Sequence, residues 1–156
     1  MPGYIAIASP VWSDYIQSKE LQYAVYWCRK KYFRALSKGE PFYFLGNRLP
    51  NGDRILIGKS VFVGFSAIEV GEAWDRYGNS LGCASFEDFQ NSIKAIYRND
   101  SLDLGCIELE KPIFAKKVVK LSNCGIVFSP YTVSGKTISD DECRQIDKLL
   151  LEGTGE

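Results

Sequence analysis

The residues from Asp53 to Gly82 constrain this chain more than any other stretch. Arg54 through Ile68 is dense in β-branched and aromatic side chains, which favour extended backbone. Gly58 and Gly64 punctuate that run and lack the side chain that resists a bulge, so a strand of this length is predicted to curl rather than lie flat. A curled strand is what a small barrel is built from. After Ile68 the period changes. Val70, Ala73, Trp74 and Tyr77 recur at helical spacing, with Glu69, Glu72, Asp75 and Arg76 between them and Gly78 placed to stop the helix. The stretch therefore predicts a bent strand with a helix lying against it.

The remaining segments supply smaller pieces. Tyr4 to Ala8 reads as a short strand, and Trp12 to Leu21 as a short helix capped by Ser9 or Ser13. Tyr23 to Cys28 and Pro41 to Leu45 read as strands, and the turn from Leu49 to Asp53, with Pro50, Asn51 and Gly52, leads into the organising strand. Ser85 is a cap with Asp88 three residues on, opening a helix whose apolar face is Phe86, Phe89, Ile93 and Ile96, ending at Tyr97 before Asn99 and Asp100. Leu104 to Phe114 is a strand interrupted at Pro112, and Val118 to Leu121 and Ile126 to Phe128 are shorter strand candidates. Asp140 to Leu151 closes the chain as a helix with acidic residues at its positive end. Strands and helices do not alternate strictly, which argues against a doubly wound parallel sheet. The expected class is α+β, a strongly bent mixed sheet with flanking helices.

With 156 residues the chain is expected to form one domain over residues 1–152, with 153–156 a tail that begins a linker. No apolar run approaches the ~20 residues of a membrane span, and the first residues lack the pattern of a secretion signal, so a cytoplasmic location without membrane contact is expected. Five scattered cysteines without a Cys-x-x-Cys pair suit reduced, buried thiols. The absence of histidine removes the usual zinc ligands, so neither a metal nor another cofactor is expected.

The same absence excludes Ser-His, Cys-His and HNH catalytic arrangements within this chain. No lysine has an acidic residue two positions before it, as a PD-(D/E)xK nuclease requires. Gly58-Lys59-Ser60 ends like a phosphate-binding loop, but Asp53 stands where the first glycine of that loop belongs. The chain is therefore not expected to be an enzyme. Its formal net charge is +0, so any attraction to nucleic acid has to be local.

One ordered set of residues carries more information. It comprises Trp12; Tyr26-Trp27; Phe33-Arg34-Ala35-Leu36 with Lys38-Gly39-Glu40; Ile57-Gly58 and Phe62; Ala73-Trp74 and Tyr77-Gly78; Gly105-Cys106-Ile107; Lys111-Pro112 before Phe114; and Ser129-Pro130 before Gly135-Lys136-Thr137. From about Tyr4 to Ile138 this order resembles the N-terminal domain of HNH-type modification-dependent restriction endonucleases. That is a PUA-like domain related to the EVE, YTH and SRA modified-base readers. The chain has Val25 where the family usually carries an asparagine, and Gly58-Lys59-Ser60 at a glycine-rich turn. The resemblance implies a PUA-like open barrel that holds one everted base of double-stranded DNA, 5-methyl- or 5-hydroxymethylcytosine first among candidates. A nuclease domain or subunit elsewhere would do the cutting.

Everting a base costs a few kcal/mol, which stacking and edge hydrogen bonds in a pocket must offset. Trp12, Tyr15, Tyr26 and Trp27 are the candidate walls, or else simply core fillers. Ser13 and Asp14 are candidate base-edge partners, or else helix caps. Arg29, Lys30, Lys31 and Arg34 form the densest basic cluster, with Lys136 a further cation: candidate phosphate contacts, or a solvated loop balanced by Glu20 and Glu40. Two other functions suit the same residues. One is a reader of modified RNA; the other is a protein-interaction module using the acidic face from Glu69 to Asp88.

Overall fold

The structure is a computed structural model and describes residues 1–97, 103–126 and 135–154. It contains β1 (Gly3–Ile7), α1 (Pro10–Ser18), β2 (Tyr23–Cys28), β3 (Pro41–Arg48), β4 (Arg54–Glu69), α2 (Val70–Tyr77), α3 (Phe86–Tyr97), β5 (Asp103–Lys120), β6 (Gly135–Ile138) and α4 (Asp140–Thr154). Short 3₁₀ turns, Gly78–Leu81 and Leu121–Cys124, follow α2 and β5. The strands form one mixed sheet in the order β2-β5-β4-β3-β1-β6. Only β1 and β3 run parallel; the other neighbours are antiparallel. The sheet is bent and does not close.

Bulges bend the two longest strands. The β4–β5 register slips between Leu56 and Gly58, between Lys59 and Val61, and between Phe62 and Gly64. Gly58 is required at the first slip, because a Cβ there would lie 2.3 Å from the Ile113 carbonyl oxygen. Pro112 does not interrupt β5 as the sequence suggests. The slip opposite Ser60 absorbs it, Lys111 turns to φ 52°, and its N–H donates to Gln22 O at 3.0 Å, so a missing donor is tolerated at a bulge. Val118–Val119 consequently continues β5 instead of forming a separate strand, and Leu121 opens a 3₁₀ turn.

Alternating side chains divide the interior. On one face Tyr4, Phe42, Phe44, Phe62 and Leu109 pack with Trp12 and Ile16 of α1. On the other face α4 covers Ile5, Tyr43, Leu45 and Leu56, while α2 and α3 cover Val25, Leu104 and Cys106. All five cysteines are buried and unpaired. Lys59 of the Gly58-Lys59-Ser60 tripeptide is occupied structurally. Its ammonium meets Asp147 of α4 at 2.7 Å, and the Tyr43 hydroxyl donates to the same carboxylate oxygen at 2.8 Å.

Several boundaries depart from expectation. α1 starts at Pro10, whose missing N–H is harmless at a first helical position, and stops at Ser18. Ser13 is not a cap: it is buried inside α1 and donates to Pro10 O. Phe86 and Ile96 leave the buried face of α3, which keeps only Phe89 and Ile93. β6 was not legible in the sequence, whereas α4 runs on to Thr154, through residues expected to start a linker. Ile126 lies in no strand; Val127, Phe128, Ser129-Pro130, Asn99 and Asp100 lie outside the described residues. No described helix is long and apolar enough to cross a membrane.

Candidate nucleic-acid interface

Trp12, Tyr26 and Trp27 come together. Trp12 enters from α1, directly after β1; Tyr26 and Trp27 are adjacent on edge strand β2; and the end of α3 brings Ile96 and Tyr97 across from them. With Ile7 and Ser9 these residues enclose an open cavity of about 150 Å³. A cavity of roughly that size admits one benzene ring. Trp12 is only 6 % exposed, yet it borders the opening as well as the core.

The rings are held in fixed attitudes. Trp12 stands edge-on to Tyr26 with centroids 5.9 Å apart, and Trp27 edge-on to Phe89 at 5.6 Å and to Tyr97 at 6.2 Å. The Trp12 Nε1–H donates to Val25 O at 3.0 Å, the Trp27 Nε1–H to Leu81 O at 3.0 Å, and the Tyr26 hydroxyl to Ile7 O at 2.7 Å. These polar ends are spent on backbone, so none of the three donors is left for a ligand. Burial, followed by the neighbouring Cys28, pushes the Tyr26 phenol up, which keeps it a neutral donor. No charged side chain lines the cavity. A neutral ligand fits such walls; a phosphate does not. Hydrogen-bonding capacity remains in the Ser9 hydroxyl, which caps nothing, and in the first N–H groups of α1, which have no intrahelical acceptor.

Gly82 lies against the Trp12 indole. It lies at φ 86°, and a Cβ on it would meet Trp12 Cδ1 at 2.3 Å. Only glycine provides both that backbone and that clearance.

The basic segment begins where β2 ends. Arg29 lies over the Tyr97 ring, 5.4 Å from its centroid, at the rim of the cavity. Lys30 and Lys31 are exposed, and Arg34 stacks on exposed Tyr32 at 5.3 Å. Phe33 anchors the segment by packing on Tyr4 at 5.0 Å and Phe62 at 5.5 Å. Gly105 lets the Lys30 backbone lie against the sheet, since a Cβ there would be 2.2 Å from Lys30 O. Glu40, an expected counter-charge, instead accepts from the Ser37 N–H. Among the described residues no carboxylate pairs with Arg29, Lys30, Lys31 or Arg34.

The other expected residues lie elsewhere. Ser13 is buried off the cavity, and Asp14 is exposed on α1 without lining it. Tyr15 borders a neighbouring groove, where its hydroxyl accepts from Asn79 Nδ2 at 3.1 Å. Lys136 pairs in register with Ile5, whose side chain belongs to the core under α4, so it stands on the opposite face of the sheet. Ile7, Ser9, Ile96 and Tyr97 were not anticipated. Only Tyr97 left a trace in the sequence, as an aromatic just past the core period of α3. Among the described residues no group of three His, Cys, Asp or Glu side chains could hold a metal.

No protein-family model matches the chain, and no curated protein matches it in sequence. Solved structures share its shape. The ASCH protein from Zymomonas mobilis superposes with a TM-score of 0.66 at 16 % identity, covering 94 % of this chain and 94 % of that one. A hypothetical protein from Leishmania major gives 0.57 at 14 % identity, covering 97 % and 96 %. Human THYN1, crystallised in complex with 5-methylcytosine-containing DNA, gives 0.53 at 11 % identity, covering 100 % and 99 %. The chain has the PUA-like fold that these ASCH and EVE-type structures share.

Proposed function

We propose that this chain is a non-catalytic DNA-reading module that accepts an everted modified cytosine, 5-methyl- or 5-hydroxymethylcytosine, between Trp12, Tyr26, Trp27 and Tyr97. Arg29, Lys30, Lys31 and Arg34 hold the flanking phosphates. The reading directs a restriction nuclease of the HNH type, carried on the same polypeptide or on a partner subunit, to modified DNA. One observation carries it: a neutral cavity lined by Trp12, Tyr26, Trp27 and Tyr97 opens beside a run of cations that no described carboxylate neutralises. The complex of THYN1 with 5-methylcytosine DNA, on the same fold, supports the choice of ligand. Stacking of about 1–3 kcal/mol per aromatic face is of the size needed to offset extrusion from the duplex.

Tryptophan fluorescence during titration with unmodified, methylated and hydroxymethylated duplexes tests this reading. Quenching is expected with the modified duplexes alone, because Trp12 and Trp27 both border the cavity. Ser9→Leu, at an exposed position that makes no cap bond, fills the opening without disturbing the core. It should abolish the preference for modified DNA while leaving the melting temperature unchanged. If this variant keeps the parent's preference for the modified duplexes, binding lies outside the cavity.

A further inference from the structure

The base cavity is not isolated. A second cavity of about 230 Å³ abuts it, sharing Ser9, Trp12, Trp27 and Ile96 as walls and extending over Gly82, Cys83, Ser92 and Ala95. A third, of about 460 Å³, abuts the second along Gly82, Cys83, Ser92 and Ala95 and ends among Tyr15, Asp88 and Asn91. Together they form a groove between α1 and α3, smallest and aromatic at the base cavity, lined by small residues in the middle, and mostly apolar at its outer end, where Tyr15, Asp88 and Asn91 add polar groups. A methyl group needs none of this space.

We infer that the groove accepts a long substituent on the everted base, one that passes over the small residues of α3 and ends in hydroxyl groups beside Asp88 and Asn91. The inference rests on the base-reading function proposed above and names its substrate class as a cytosine whose 5-substituent is larger than hydroxymethyl and ends in a neutral polyol such as a hexose. The middle of the groove has no charged side chain, so the connecting part of the substituent is uncharged. At the outer end both residues are exposed, and Asp88 offers carboxylate acceptors and Asn91 both donors and acceptors, a set that matches hydroxyl groups. Ala95, exposed on α3 and bordering the second and third cavities but not the first, is a point where a larger side chain would stand in the path between them.

Duplexes carrying cytosine, 5-methylcytosine or glucosylated 5-hydroxymethylcytosine at one site test this against the parent chain and Ala95→Phe, with a thermal melt as the folding control. The parent should bind the glucosylated duplex at least as tightly as the methylated one. Ala95→Phe should lower the ratio of glucosylated to methylated affinity about tenfold, equivalent to about 1.4 kcal/mol. Selective binding of the methylated duplex with rejection of the glucosylated one would overturn the inference and leave base reading intact. An unchanged ratio in Ala95→Phe would also overturn it. Failure to distinguish any modified duplex from the unmodified one would remove the base reading itself, and the inference with it.

Discussion

Single contacts decide whether the cavity exists. Gly82→Ala places a methyl group against the Trp12 indole in a backbone region that costs a non-glycine residue about 1–2 kcal/mol. The variant is expected to melt earlier and to show an altered tryptophan emission spectrum, since Trp12 has to move; an unchanged spectrum would refute the role given to this glycine. Tyr26→Phe removes the donor to Ile7 O and leaves that carbonyl, at the cavity wall, without its partner. Denaturant titration should show a loss of about 1–3 kcal/mol, with m unchanged. At this scale the sequence was informative about aromatic identity and silent about direction. Trp12, Tyr26 and Trp27 stood out by residue type, but no local pattern separates a ring that borders an opening from one that only fills a core. Ser13 and Asp14 show the converse. Adjacency to Trp12 in the chain suggested them, and the 3.6-residue turn of α1 aims them elsewhere.

Among elements, α4 and β5 depend on particular fastenings. Asp147 joins α4 to the sheet by accepting from both Tyr43 and Lys59. Burial, and then that carboxylate, push the Tyr43 phenol far up, so it stays protonated and needs an acceptor. Asp147→Ala should cost about 1–3 kcal/mol and increase amide exchange across α4, whereas Asp147→Asn should retain much of the bond. Lys111, at φ 52°, pays for the bulge that admits Pro112. Lys111→Gly is expected to change stability by less than about 1 kcal/mol, while the β-branched Lys111→Val lowers it clearly; a thermal melt ranks the two. Elements with strong internal signals were legible: β2 and α2 run as their residue patterns indicate, and Ser85 caps α3 by accepting from the Asp88 N–H at 3.1 Å. The first part of β5 was legible, but its continuation through Pro112 was not, because proline normally ends a strand and the bulge accommodating it forms only against β4 and the end of β2. β6 is too short to announce itself without β1 beside it.

For the molecule as a whole, a formal net charge of +0 concentrates any DNA affinity in the segment after β2. If Arg29, Lys30, Lys31 and Arg34 each contact a phosphate, the logarithm of affinity should fall with the logarithm of salt with a slope of about −3 to −4, and Arg29→Ala or Lys30→Ala should each reduce that slope by about 1. A slope indifferent to these substitutions would move the interface elsewhere. Alkaline pH should loosen the fold. Burial first, then Cys28 and Glu108, push the Cys106 thiol from its ordinary 9.0 up to about 12. Burial first, then the Glu108 carboxylate, push the Tyr77 phenol from 10.0 up to about 12. A raised pKa in the folded state contributes stability that is complete below the unfolded value and is lost as pH climbs toward the folded one. Denaturant midpoints should therefore fall as pH rises past 9.0, and Cys106→Ala should flatten the first part of that fall.

By itself the sequence determined the long curled strand, the helix that follows it and the α+β class, because hydrophobic period and glycine placement act over neighbouring residues. It also singled out Trp12, Tyr26 and Trp27 by residue type. Tertiary structure alone decided that Trp12, Trp27 and Tyr97, from three separate elements, face a common opening, and that Lys136 faces away from it. The physical reason is range: a strand or helix is specified by residues a few positions apart, whereas a cavity is the space left when distant elements pack, and no local pattern encodes empty space.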